Sequence, residues 1–429
     1  MKKKKAILML LVAALLSPVL WAKGGNDVKL KVELDRATLH ANQNEKVILK
    51  VTLDAPLADK LKRRAVNICL VIDKSGSMSG TKIEDAKKAA ISVLKRLHPT
   101  DLFSLVVYDG TIQTLVPAQH PKNTEAITKA INSITASGGT ALFGGVSQGA
   151  AEIRKNNNKK YLNRVFLLSD GQANIGPSSP EDLQRLGIAL SKENIVVTTI
   201  GLGTGYNEDL MTKLAVATDS LTYFVENSND LPRIFNKELG DVLSIVSNSV
   251  KIKIDVIDGV KIVRTIGRQG RINGNTVEFD IKHLYSGQEL FTLIELEVPP
   301  TEEKSTRNLA NISLSYENLL TEKKQTNKTN ITANFSKKEA IVVASANKKV
   351  QASCAQFNNA LVLNQTIVLL DQGKQQEALK NIDNNIIILQ QQQKKYGNKL
   401  LEKDITNLKK RKKSISSKKY NPKMRKDMN

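Results

Sequence analysis

The sequence is short of the residues on which most enzymatic and metal-cluster chemistry depends. Its 429 residues include two cysteines, Cys69 and Cys354, and four histidines. Two cysteines make no disulfide framework, and without a C-x-x-C pair there is no thiolate nest for zinc or an iron–sulfur cluster. Cys69 lies in an apolar run and reads as a small buried hydrophobe, not as half of a bridge to Cys354. His40, His98, His120 and His283 are scattered without the spacing of a metal site or a catalytic triad. Neither G-x-S-x-G nor H-E-x-x-H occurs, and the stretch Gly138 to Leu142 lacks the lysine of a phosphate loop. Beyond the amino terminus no apolar run reaches spanning length. Catalysis is therefore not expected.

What is present is the composition of a soluble globular chain, 41% hydrophobic and 25% charged, with length for two or three domains. The net charge of +22 is concentrated at the ends: Lys2 to Lys5 carry four charges, and the segment from Lys409 carries ten basic residues against one acidic. Only +9 remains between them, so no nucleic-acid face is called for. Lys2 to Lys5, the apolar stretch Ala6 to Leu16, the Ser17-Pro18 break and Leu20-Trp21-Ala22 read as an export signal over residues 1–22. The rival is an uncleaved anchor, for which the uncharged run is short. A periplasmic, secreted or surface location is expected. The sequons at Asn311, Asn327, Asn330, Asn334 and Asn364 are of the kind that arise by chance in an Asn-rich chain.

Periodicity divides the rest. Over 23–65, Val28, Leu30, Val32 and Leu34 alternate with polar residues, as do Val47, Leu49, Val51 and Leu53. Two strands make no stable sheet, and the same alternation returns over 246–337, as in Val250 to Val256 and Ile312 to Tyr316. A β-sandwich split in sequence is predicted. Between the halves, over 66–245, the apolar runs Val66–Ile72, Leu102–Tyr108, Val165–Leu168 and Ile195–Ile200 alternate with amphipathic helical stretches. That pattern predicts an α/β unit with a doubly wound, mostly parallel sheet, whose ligands bind at the carboxyl ends of its strands. Residues 338–408 read as a helical hairpin with a third helix, and 409–429 as a basic, disordered tail with at most a weak contact to an anionic surface.

The first buried strand runs into Asp73-Lys74-Ser75-Gly76-Ser77, one carboxylate and two hydroxyls on a tight loop. Two more loops at the same sheet edge add Thr140, in Ser137-Gly138-Gly139-Thr140, and Asp170, in Ser169-Asp170-Gly171. Five oxygen-bearing side chains suit a hard divalent ion, best Mg²⁺, with Ca²⁺ or Mn²⁺ as alternatives.

These residues, with Val107-Tyr108-Asp109 and Ile200 to Gly203, resemble the von Willebrand factor A domain and its metal-ion-dependent adhesion site over roughly Val66 to Gly240. The wider arrangement resembles exported bacterial proteins with such a domain set into a β-sandwich, and more distantly the inter-α-trypsin inhibitor heavy chains. The resemblance implies that Ser75 and Ser77 hold the ion directly, Thr140 directly or through water, and Asp73 and Asp170 largely through water. It implies a non-enzymatic binding module that captures a Glu or Asp carboxylate of a protein ligand through the ion. A structural assembly factor of the envelope, acting through its carboxy-terminal helices with an accessory metal site, is the alternative; a metal-dependent hydrolase ranks last.

Overall fold

The computed structural model describes residues 25–58, 64–158, 160–226, 228–417 and residue 425. The expected export signal at 1–22 lies outside the described residues. Among those described, no helix is long and apolar enough to cross a membrane.

The chain begins with β1 (Lys29–Leu34), β2 (Thr38–His40) and β3 (Glu45–Asp54). Val47, Leu49, Val51 and Leu53 of β3 all point inward and are fully buried. The α/β unit follows: β4 (Ala65–Asp73), α1 (Thr81–Arg96), β5 (Leu102–Tyr108), β6 (Ile112–Gln119), α2 (Thr124–Asn132), α3 (Leu142–Arg154), β7 (Tyr161–Ser169), α4 (Pro180–Lys192), β8 (Ile195–Leu202), α5 (Glu208–Ala217), β9 (Thr222–Val225) and α6 (Leu231–Leu243). The chain then returns to antiparallel strands: β10 (Ile245–Val256), β11 (Lys261–Ile266), β12 (Arg271–Asn273), β13 (Thr276–Tyr285), β14 (Glu289–Val298), β15 (Thr306–Asn318) and β16 (Lys323–Ser336).

The first strands complete sheets built mostly from the later ones. One sheet has the order β1-β3-β14-β11, the other β12-β13-β10-β15-β16-β2. Their inner faces share one core, to which Leu49 and Ile294 of the first sheet and Ile252 and Leu314 of the second belong. The α/β unit is thus set between β3 and β10 of a two-sheet sandwich.

Within that unit the order is β6-β5-β4-β7-β8-β9, parallel except for β6. Strands β4, β5, β7 and β8 are buried almost throughout. Helices α1, α2 and α6 cover one face and α3, α4 and α5 the other, which is why these strands are apolar on both sides. The first crossover leaves β4 toward β5 and a later one returns to β7 on its other side. The carboxyl ends of β4 and β7 therefore flank the crevice where the winding reverses.

Helix α3 must lie close to the sheet, and two glycines one turn apart allow it. A Cβ at Gly145 would fall 2.5 Å from the Tyr108 ring, and one at Gly149 would fall 2.4 Å from Val71 Cγ2. Gly149→Ala is expected to destabilise the protein by about 1–3 kcal/mol, read from a denaturant midpoint, because overpacking against the strand outweighs alanine's better helix propensity. A neutral or stabilising result would mean that the contact relaxes freely.

The α/β unit is joined to the sandwich through buried polar groups. The Arg164–Glu238 pair, 3.1 Å apart and 4% exposed on each side, also takes in Thr198 and Tyr223, and Arg164 Nη2 donates to Tyr285 of β13 at 3.2 Å. Nearby, Asp219 accepts from Arg268 at 2.6 Å and from the Lys282 backbone at 3.0 Å.

Among the described residues, four α-helices follow β16: α7 (Glu339–Ala344), α8 (Lys348–Asp371), α9 (Gln375–Tyr396) and α10 (Glu402–Ser417). Helices α8 to α10 share their own core, and α8 rests on the sandwich through an edge-on Phe357–Phe291 contact and a 3.0 Å bond from Lys50 to Ser353. Residues 409–417, expected to belong to a disordered tail, are helical instead. Helix α10 runs on to Ser417 because Ile415 repeats the buried stripe of Ile405 and Leu408 seven residues later. Further along, Arg425 pairs with Glu208, with Asp209 at 3.0 Å and with Asp371 at 3.0 Å. The remaining tail residues lie outside those described.

Candidate metal centre

Strand β4 delivers Asp73 as its last residue, fully buried. One of its oxygens accepts the Ser75 backbone N–H at 2.8 Å, turning the chain sharply, and the other accepts the Ser169 hydroxyl at 2.7 Å from the end of β7. The loop is stitched to its neighbours through backbone: Lys74 N–H donates to Tyr108 O at 2.7 Å, Gly76 N–H to Gly138 O at 3.1 Å, and Ser137 N–H to Lys74 O at 2.7 Å. Thr140 is pinned from the third loop. Its N–H donates to Asn174 Oδ1 at 2.8 Å, and its carbonyl accepts from the backbone of Asn174 and Ile175.

All five side chains expected from the sequence meet at this rim. The hydroxyl oxygens of Ser75 and Ser77 are 3.1 Å apart, and Ser77 donates to Asp170 Oδ1 at 2.7 Å. The Thr140 hydroxyl faces Gly171, where a Cβ would lie 3.2 Å from Thr140 Oγ1 and 3.5 Å from Ser77 Oγ. Only a residue without a side chain leaves that space clear. Ser75, Thr140 and both aspartates are buried, while Ser77 and Gly76 are exposed, so the cluster opens to solvent along one side.

The charge is unbalanced toward negative. Burial pushes the Asp73 carboxyl above its ordinary range, the hydrogen bonds from Ser169 and Ser75 pull it back, and the Asp170 charge pushes it up again. The Asp170 side chain has no exposed surface and meets the ammonium of Lys82, which also donates to the Ser77 carbonyl at 3.2 Å. Two carboxylates and one lysine leave a net charge of −1. Next door, Asp109 is saturated: burial opposes its ionisation, but Lys74, Thr111 and Ser137 hold it well below the usual carboxylate range.

This donor set fits a hard divalent ion. Every donor is an oxygen, only two are carboxylates, and a cation would relieve the cost of burying them. Among the described residues no group of three or more His, Cys, Asp or Glu side chains is gathered for a metal. The present cluster differs in relying on hydroxyls. The histidines are engaged elsewhere, His40 with Glu339 at 2.6 Å, His98 with Thr100 at 2.8 Å, His120 with the Asp101 carbonyl at 2.7 Å and His283 with Asn248 at 2.8 Å. Both cysteines are free, with burial pushing the Cys69 thiol to about 12 and that of Cys354 to about 11.

Three further residues shape the site without standing out as ligands in the sequence. Ser169 was legible only as part of a turn, Asn174 is an ordinary loop residue, and Lys82 belongs by pattern to the solvent face of a helix.

Residues 67–237 match the model of the von Willebrand factor type A domain. An uncharacterised protein of Synechocystis sp. is 31% identical over 189 residues, covering 44% of this chain and 44% of that protein. Inter-alpha-trypsin inhibitor heavy chain 4 of Mus musculus is 29% identical over 184 residues, covering 40% of this chain and 19% of that protein. The chain thus spans less than half the length of these curated relatives. A solved structure of a von Willebrand factor type A protein from Catenulispora acidiphila superposes with a TM-score of 0.71 at 17% identity, covering 90% of this chain and 89% of the other. At that identity the likeness concerns the fold alone. It extends well beyond the α/β unit.

Proposed function

We propose that this protein, whose residues 67–237 form a von Willebrand factor type A domain, is a non-enzymatic module that captures a protein ligand through a divalent ion. Domains of this type are protein-interaction modules, often metal-dependent. The observation that carries the finer reading is the meeting of Asp73, Ser75, Ser77, Thr140 and Asp170 from three loops around one rim.

The physical logic is a shortage of negative charge. An ion held by hydroxyls and water, with only two carboxylates nearby, keeps much of its charge and attracts a further carboxylate from outside. A Glu or Asp of the partner supplies it, and becomes the central contact of the interface. Mg²⁺ is the best fit, with Ca²⁺ or Mn²⁺ as alternatives. The surroundings suit a protein more than a small acid. Ile175, 41% exposed, lies over Gly139 and Gly110, and Ile112, 44% exposed, lies over Gly144, so apolar surface flanks the loop that carries Thr140. The export signal read from the sequence at residues 1–22 supports a location in the cell envelope or outside the cell.

The test is capture of a partner from envelope extract by the purified protein, with Mg²⁺ and again with EDTA, beside a calorimetric titration of the protein with Mg²⁺. Ser75→Ala, which removes one buried hydroxyl from a preformed loop, should abolish both capture and Mg²⁺ uptake while circular dichroism stays unchanged. Capture that persists undiminished in EDTA sinks the proposal.

A further inference from the structure

Lys82 stands in the first turn of α1, at Thr81–Arg96, eighty-eight residues from Asp170 in sequence and in direct contact with it. Its ammonium reaches Asp170 Oδ2 and the Ser77 carbonyl, while Ser77 Oγ holds the other Asp170 oxygen. The contact is unequal. The Asp170 side chain has no exposed surface, whereas that of Lys82 is 37% exposed. The carboxylate is fixed and depends on its cation; the lysine is a flexible stem with water within reach.

Resting on the metal-binding reading above, we infer that Lys82 is the resident counter-cation of the site and competes with the divalent ion for Asp170. Whether the ion meets Asp170 directly or through a water, an ammonium on the same carboxylate repels it strongly in this buried setting. Uptake of the ion therefore requires the ammonium to swing outward, for which its exposure leaves room. The lysine has two opposite effects: it stabilises the loops when no metal is present, and it lowers the affinity for metal. A site of this design holds its ion weakly until a partner carboxylate adds its own negative charge, so metal and partner bind together. Displaced, the ammonium remains on the rim that the partner's carboxylate approaches.

The experiment compares wild type with Lys82→Met and Lys82→Arg as full chains, titrated with Mn²⁺ by electron paramagnetic resonance, and melted in EDTA and in saturating Mg²⁺. Methionine keeps the length and helix propensity of the position and removes the charge. Lys82→Met is expected to bind Mn²⁺ at least about tenfold more tightly than wild type, and Lys82→Arg to stay near wild type. In EDTA the Met variant should melt below wild type, because Asp170 has lost its partner, and Mg²⁺ should raise its melting temperature by more. Equal Mn²⁺ affinities, or weaker binding in the Met variant, overturn the competition while leaving the metal site standing. Absence of uptake in all three proteins overturns both the competition and the metal reading beneath it.

Discussion

Glu238→Ala is expected to lower stability by about 3–5 kcal/mol, the cost of leaving a buried charge without its partner. Arg164 and Glu238 lie on β7 and α6 and are each 4% exposed. The carboxylate is fully used: Oε2 accepts from Arg164 at 3.1 Å and from Thr198 at 2.9 Å, and Oε1 accepts from the Tyr223 hydroxyl at 2.5 Å. Alanine would leave the guanidinium in a low-dielectric joint without a counter-charge, held only by the neutral hydroxyls of Thr198 and Tyr285. Urea unfolding followed by circular dichroism reads the loss. A change below about 1 kcal/mol would mean that water enters the joint and that the two units are less tightly coupled than Arg164–Tyr285 indicates. The double replacement Arg164→Met with Glu238→Leu should cost less than Glu238→Ala alone, because it removes both charges together.

That network was invisible in the sequence, because its members come from β7, β8, β9, α6 and β13 and no local pattern joins them. What was legible was burial with a period. The residues Val47, Leu49, Val51 and Leu53 alternate because one face of β3 meets the core, and the run Leu102–Tyr108 is continuous because both faces of β5 are covered. Strand β16 lacks either signal: between Lys323 and Ile331 it has no buried residue, for it lies near the sheet edge, where among the described residues it pairs along its length with β15 and meets β2 only at its end. Basic character likewise masked the end of α10, where Ile415 is a single apolar residue after a run of lysines and an arginine.

The site divides in the same way. Asp73, Ser75, Ser77, Thr140 and Asp170 sit where buried strands end or a helix is about to begin, so their convergence follows from the sheet order once the strands are recognised. Lys82, in the first turn of α1, and Asn174 reach their targets, Asp170 and the Thr140 backbone, only in three dimensions. Residue type and spacing specify ligands. They do not specify what presses on those ligands from the next loop.

Asp73→Asn is expected to weaken Mg²⁺ binding by at least about a hundredfold while changing metal-free stability by less than about 1 kcal/mol. The two effects separate because Asp73 is costly without a cation: burial pushes its carboxyl up, so its charge opposes folding until a cation or donor compensates it. Asparagine keeps an oxygen that can accept from Ser75 N–H at the 2.8 Å contact, so the turn survives, but it brings no charge to the rim. Wild type at a hundred times its dissociation constant for Mg²⁺ should gain about 2.7 kcal/mol from the ion, and the variant almost none. Melting curves in EDTA and in Mg²⁺, with calorimetric titration, distinguish the outcomes. Parallel curves for both proteins under both conditions would show that the buried carboxylate serves only to shape its loop. The contrast with Lys82 is then a matter of sign: removing a negative charge from this rim must loosen the ion, and removing the positive one must tighten it, if a single cation position connects them.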